Sequence, residues 1–196
     1  MKIVGLTGGI GAGKTTVSRI FRLLGMPIYT ADERSKAILD KDLFVRNKVV
    51  EIFGEKSYIG DVADRKFLAE KCFSNSDLLA QLNGILHPAV ASDFASWRDE
   101  NSNASYLIKE AAILFESGSY KDCDNIIMVT APEEVRITRV QERDEVSAEE
   151  VKARIAHQWP EERKLDLADV IIENVEDQSL IQQVMKIHNL WSNENT

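Results

Sequence analysis

The chain has 196 residues, 44% of them hydrophobic and 29% charged, with a formal net charge of −8. That size supports one core with excursions, and the excess of carboxylates argues against a polynucleotide as the main ligand. Cys72 and Cys123 lie far apart in unrelated contexts, which suggests neither a metal site nor a disulfide framework and makes a reducing compartment the expectation. No leader-like segment is visible, and no apolar run reaches the ~18 residues of a membrane span, so a cytoplasmic protein without a membrane partner is expected.

The first sixteen residues organise the rest. Lys2-Ile3-Val4-Gly5-Leu6-Thr7 has strand character, and Gly8-Gly9-Ile10-Gly11-Ala12-Gly13-Lys14-Thr15 follows at once. This fits G-x-x-x-x-G-K-[ST], the P-loop, with Gly8, Gly13, Lys14 and Thr15 at the fixed positions. Polyphosphate needs many donors converging on a small concave space, and glycines let backbone N–H groups turn inward. A helix opening near Gly13 adds its unpaired amides and the positive end of its dipole. Lys14 is expected to reach the β- and γ-phosphates, and the Thr15 hydroxyl to take a place on Mg²⁺. Val17, Ile20, Phe21 and Leu24 fall on one face of that helix, and Gly25 is a natural stop.

Pro27-Ile28-Tyr29-Thr30 reads as a second strand, ending at Ala31-Asp32. An Asp just past a strand end can face a ligand, because sites in open α/β sheets lie at the carboxyl ends of strands. It can equally serve as a helix N-cap. Residues from 33 to about 100 read as helical throughout, without a convincing strand. Val45, Val49, Ile52 and Phe53 form a stripe that Gly54 stops, and Asp64 and Ser76 are expected to cap the next two helices. His87-Pro88 is expected to break one helix and let Pro88 open another. His87 itself is a structural residue or a ligand at that junction. Such a stretch is too long for a plain crossover and reads as a helical insertion that holds a second substrate.

Ser105-Tyr106-Leu107-Ile108-Lys109 reads as the third strand, with Glu110 at its end, where an acidic residue can orient Mg²⁺ through water. Glu116 closes the next apolar stretch and is open to capping, pairing or binding. Asn125-Ile126-Ile127-Met128-Val129-Thr130 is a continuous apolar run, as a central parallel strand requires. The helix begun by Ala131-Pro132 places Arg136, Arg139 and Arg143 on one face, either as a solvated face paired with Glu133, Glu134 and Glu142 or as a phosphate clamp.

Ser147-Ala148-Glu149-Glu150 is a capping box. The charged helical stretch around it has the composition of a lid that closes over phosphates. Ala168-Asp169-Val170-Ile171-Ile172-Glu173-Asn174 reads as the fifth strand, and an amphipathic helix through Leu180, Val184 and Leu190 ends the chain. The fold expected is α/β, a five-stranded parallel sheet of P-loop type with helices on both faces, in a single domain. Its core spans about 1–32, 101–140 and 166–196, with the helical insertion at about 33–100 and the lid at about 140–165.

The chain resembles the dephospho-CoA kinases along nearly its whole length. The matches run in order: Gly5 to Thr16, Ala31-Asp32, Leu82, Leu86-His87-Pro88, Leu114-Phe115-Glu116, Arg139, Arg143-Asp144, Gln158, Lys164, Ala168-Asp169 and Asn174. It departs from the family pattern at Thr30, where Asp is common, and at Ala112, where Pro is usual. The resemblance implies transfer of the ATP γ-phosphoryl group to the ribose 3′-hydroxyl of dephospho-CoA. It implies Asp32 as base or orienting group at that hydroxyl, Lys14 with the loop amides on the phosphates, and Arg139 and Arg143 as the cations a lid would deliver. Gly9, Gly11, Ala12, Gly13, Thr15, Thr16 and Asn174 would complete the ATP site, with His87 and Glu116 beside Asp32 on the acceptor. Mg²⁺ would accompany ATP, the partners would be these small molecules alone, and the chain would be a monomer or a weak homo-oligomer. A GTP-dependent switch is disfavoured, because no Asp-x-x-Gly follows the loop and no Asn-Lys-x-Asp is present. Another small-molecule kinase, or a regulatory module that no longer catalyses, shares the loop and would differ in acceptor and turnover.

Overall fold

A computed structural model describes residues 1–73 and 75–193. Strand β1 (Lys2–Gly8) is buried on both faces from Val4 onward, which only an interior strand of a parallel sheet allows. It pairs on one side with β5 (Tyr106–Glu110) and on the other with β6 (Asn125–Thr130), both in parallel register. Outside these lie β2 (Ile28–Thr30) and β7 (Val170–Glu173), giving five strands in the order β2-β5-β1-β6-β7. Because the chain moves to both sides of β1, the order reverses there, and the crevice beyond the carboxyl end of β1 is where such sheets bind ligands.

The strands carry Val, Ile and Leu because both faces are covered, with helices on the two sides of the sheet. On one face α1 (Lys14–Leu23) and α9 (Leu180–Asn193) bury Val17, Phe21, Val184 and Trp191 against Val4, Leu6, Ile108 and Ile127. Phe21 is fully buried, worth about 1.5–3 kcal/mol of transfer free energy. On the other face a Cβ at Gly5 would lie 2.7 Å from Leu114, so the segment after β5 rests directly on the β1 backbone. From β6 the chain passes through α6 (Glu133–Asp144), α7 (Ala148–Ala156) and α8 (Glu161–Leu165) to β7. The Ser147 capping box forms as its sequence signals, with Glu150 N–H donating to the Ser147 hydroxyl. The helix that this box opens stops at Ala156, and Pro160 opens α8.

Contacts divide the chain into two units, residues 1–30 with 101–196 and residues 31–100. The second unit holds α2 (Ala31–Lys41), α3 (Leu43–Phe53), α4 (Arg65–Phe73) and α5 (Ser76–Glu100) around Leu39, Val45, Val49, Tyr58 and Leu68. Gly54 stops α3 at φ +80°, the left-handed backbone that glycine tolerates.

This unit departs from the sequence expectation in three places. A short antiparallel hairpin, β3 (Tyr58–Ile59) and β4 (Val62–Ala63), interrupts the helices. It is fastened by Tyr58 OH donating to the Leu39 carbonyl at 2.8 Å and by Ala63 N–H donating to Asp40 at 3.0 Å. Burial raises the Asp40 carboxyl, but the Ala63 and Arg65 hydrogen bonds outweigh it and hold the group below the usual carboxylate range. The cap of α5 is Asn75, whose Oδ1 accepts from Asp77 and Leu78, rather than Ser76. Finally, α5 does not break at His87-Pro88 but runs through Pro88 for 25 residues. Pro88 removes one hydrogen bond to residue 84, and that residue is Gly84, whose backbone has the freedom to yield to the proline ring. Ile85, Leu86 and Ala89 pack on the unit's core at either side of the lost bond, so tertiary contact carries the helix across it.

Candidate active site

The loop between β1 and α1 closes tightly on itself. Lys14 Nζ donates to the Gly8 carbonyl at 3.0 Å, and Ala12 N–H donates to the Gly9 carbonyl at 3.0 Å. Gly13 holds φ +100° at the N-terminus of α1, and no side chain among the described residues caps the helix there. Its first-turn amides therefore face outward as a ready anion site, reinforced by the helix dipole. Thr15 and Thr16 are exposed in this first turn.

Neighbouring elements leave no room around the loop. A Cβ on Gly13 would sit 2.2 Å from Asn174 Nδ2, and one on Gly9 the same distance from Arg136 Nη1. Asn174, just past β7, donates Nδ2–H to the Ala12 carbonyl at 2.8 Å and its own N–H to the Thr130 carbonyl at 2.8 Å. It thereby ties the loop to the ends of β6 and β7. Gln158 reaches in from beyond α7, accepting from Ile10 N–H at 3.2 Å and donating to the Ala112 carbonyl at 3.4 Å.

The three arginines of α6 part company. Arg136 is buried, and its Nη2 donates to Glu161 at 2.5 Å while Glu161 accepts from the Thr130 hydroxyl with its other oxygen. Arg139 donates Nη2–H to the Asn174 carbonyl at 3.4 Å, and its Nη1 is buried without a hydrogen-bond partner among the described residues. Arg143 is exposed and bonds Asp144, which also takes Arg154. The Arg143 hydrogen bond is the main cause holding the Asp144 carboxyl at about 2, and Arg143 itself is raised by the same bond.

Glu116, expected at the acceptor, accepts from Trp159 N–H at 2.8 Å and pairs with buried Lys164 at 3.1 Å. Its Oε2 is buried without a hydrogen-bond partner among the described residues. Trp159 stacks on Phe115 at 6.5 Å and 11°, with the Arg163 guanidinium over its ring at 3.4 Å. Glu110 is buried at the end of β5, in register with Leu6 on one side and Thr30 on the other. Asp32 and His87 belong to the helical unit, Asp32 exposed in the first turn of α2 directly after β2 and His87 exposed on α5.

Lys14, Asn174 and Arg139 are thus brought together around the loop, with Arg143 turned outward to Asp144. Sequence reading missed the Arg136–Glu161 pair, which joins residues on two helices with no spacing rule between them, and it left Gln158 without a role. Among the described residues, no group of three or more His, Cys, Asp or Glu could hold a metal ion, and no helix is long and apolar enough to cross a membrane.

Comparison with known proteins sets this geometry in context. The family profile described as dephospho-CoA kinase matches residues 2–179. A dephospho-CoA kinase of Porphyromonas gingivalis is 41% identical over 95% of this chain and 93% of its own length. One from Bacteroides fragilis is 36% identical over 98% of both. The solved structure of a dephospho-CoA kinase from Campylobacter jejuni superposes with a TM-score of 0.73 at 28% identity, covering 99% of this chain and 98% of that one.

Proposed function

The chain belongs to the dephospho-CoA kinase family, and from that premise we propose how its residues divide the work. The reaction is ATP-dependent phosphorylation of the ribose 3′-hydroxyl of dephospho-CoA, giving coenzyme A and ADP, the last step of coenzyme A biosynthesis. The transferred group passes through a loose transition state, so positioning and charge stabilisation dominate the catalysis.

The uncapped N-terminus of α1 behind a loop that holds Lys14 is the observation that carries the assignment of the phosphate site. Lys14 exchanges the Gly8 carbonyl for the β- and γ-phosphates, and the loop from Gly9 through Gly11, Ala12 and Gly13 to Thr15 and Thr16 cradles them. Asn174 stands beside this cradle as the base side of the ATP site, and Arg139, bonded to its carbonyl, supplies with Arg143 the positive charge that neutralises the transferred group. Asp32 accepts the 3′-hydroxyl proton or orients that hydroxyl, and His87 positions the acceptor within the helical unit 31–100. Arg143, exposed near the end of α6, approaches the transferred group when the segment 140–165 closes, which also excludes water.

Mg²⁺ keeps most of its waters and takes few protein ligands, so an exposed Thr15 hydroxyl, with Glu110 at the end of the strand beside β1, suits the ion without a carboxylate cluster. When bound, the ion neutralises charge on the β- and γ-phosphates.

The test is a coupled ADP-release assay with Mg-ATP and dephospho-CoA, AMP, CMP, dTMP or no acceptor. Release that depends on dephospho-CoA alone is expected. Lys14→Ala is expected to lower kcat about a hundredfold or more, and near-normal kcat would sink the phosphate assignment. Asp32→Ala is expected to lower kcat by about 10²–10⁴, whereas a raised KM at normal kcat would reduce Asp32 to binding.

A further inference from the structure

Arg136 occupies an unusual position for a cation. Its side chain is 5% exposed, its Nε is buried without a hydrogen-bond partner among the described residues, and its Nη1 lies where a Gly9 side chain would be. The guanidinium is therefore pressed against the phosphate loop itself. Its counter-ion is Glu161 at 2.5 Å, with Glu133 no nearer than 4.0 Å. Glu161 is 26% exposed and sits at the first residue of α8, in the charged stretch read as the lid.

The pair also stands between two openings. A cavity of about 280 Å³ is lined by Gly9, Gln158 and Lys164, and a second of about 410 Å³ by Thr130, Glu173 and Val175. Arg136 and Glu161 line both. A buried guanidinium needs an anion, and phosphate oxygens offer its planar fork a stronger partner than a partly exposed carboxylate.

We propose that Arg136 is a ligand of the ATP polyphosphate that Glu161 holds in reserve. Binding of the β- and γ-phosphates takes over the guanidinium, and the displaced Glu161 frees α8 to move. The reading rests on the assignment of residues 8–15 as the phosphate site. It differs from a static brace, in which Arg136 and Glu161 stay bonded throughout and only hold α6 to α8.

Isothermal titration of ATP, ADP and AMP, with Mg²⁺ present, separates the two. The proteins are the wild type, Arg136→Gln, Glu161→Gln, the double variant and Lys14→Ala, each also melted with and without ATP. Arg136→Gln is expected to weaken ATP and ADP about tenfold and to leave AMP unchanged, the loss of one charged hydrogen bond. Glu161→Gln is expected to tighten ATP about fivefold, because a competitor for the guanidinium is gone, and to lower the melting temperature of the free protein more than that of the ATP-bound one. The double variant should bind like Arg136→Gln. Unchanged or weakened ATP binding by Glu161→Gln would overturn the exchange and leave the brace. If Lys14→Ala also bound ATP like the wild type, the phosphate-site assignment itself would fall, so the two failures are distinguishable.

Discussion

Replacing Lys164 by methionine tests what Glu116 is for. The ammonium is 2% exposed and lies 3.1 Å from Glu116, whose side chain is 15% exposed. Methionine keeps the length of the stem and removes the charge, leaving a mostly buried carboxylate with the Trp159 N–H as its one donor among the described residues. Breaking a buried pair from one side costs about 3–5 kcal/mol. The partial exposure of Glu116 favours the lower figure, about 3 kcal/mol, or a fall of about 6–12 °C in Tm for a chain of this size. Glu116→Gln retains an acceptor for Trp159 N–H, and combining the two changes should recover about 1–2 kcal/mol relative to their sum. Urea unfolding of the four proteins gives the cycle, and KM for dephospho-CoA is measured on the same samples. A Lys164→Met melt within about 2 °C of the wild type would refute the pairing argument. A raised KM in Glu116→Gln with no coupling in the cycle would assign the carboxylate to the acceptor instead.

Three further expectations follow from local geometry. Gly13→Ala places a methyl on Asn174 Nδ2 at a left-handed φ, costing about 2–3 kcal/mol from backbone strain and the lost Asn174–Ala12 bond. Gly25→Ala, at φ +83° with open space around it, should cost only about 1 kcal/mol, and equal losses in thermal melts would refute the steric argument. Burial pushes the Cys123 thiol up to about 11, so the fold favours the neutral form. That stabilisation is full below the ~8.5 of an unfolded thiol and is lost as pH rises through about 11. Iodoacetamide at pH 8 should label the half-buried Cys123 more slowly in the folded chain than in urea, and equal rates would contradict the raised pKa. Pro88→Ala restores an interior hydrogen bond of α5 and should raise stability by about 1–2 kcal/mol, read as a higher urea midpoint.

Local signals were legible wherever a residue acts on its near neighbours. The phosphate loop, the run Asn125 to Thr130 and the Ser147 box each carry their reason within a few residues, and the structure has them. The hairpin at 58–63 also carried a signal, since Gly60-Asp61 between short β-prone pairs is a turn for two strands, but it lay inside a stretch dominated by helical periodicity. Pro88 misled because its local meaning is a helix start, while packing on both sides of it decides otherwise. At the site, spacing put the α6 arginines on one face. It could not foresee that Glu161, Asn174 and Asp144 would claim one each, because those partners are chosen by the meeting of α6 with α8, with β7 and with its own end.

The placement of the helical unit has a consequence for the order in which the chain acquires structure. Residues 31–100 form one uninterrupted stretch whose contacts are internal, whereas Lys2 pairs with Tyr106 and Val4 with Asn125, partners more than a hundred residues away. During synthesis β1 therefore emerges long before either of its neighbours, and the helical unit is complete before the sheet can begin to close. The central strand of the sheet spends that interval unpaired. Nascent chains from which residues 31–100 have just emerged should resist protease within 31–100 and be cut within 1–30.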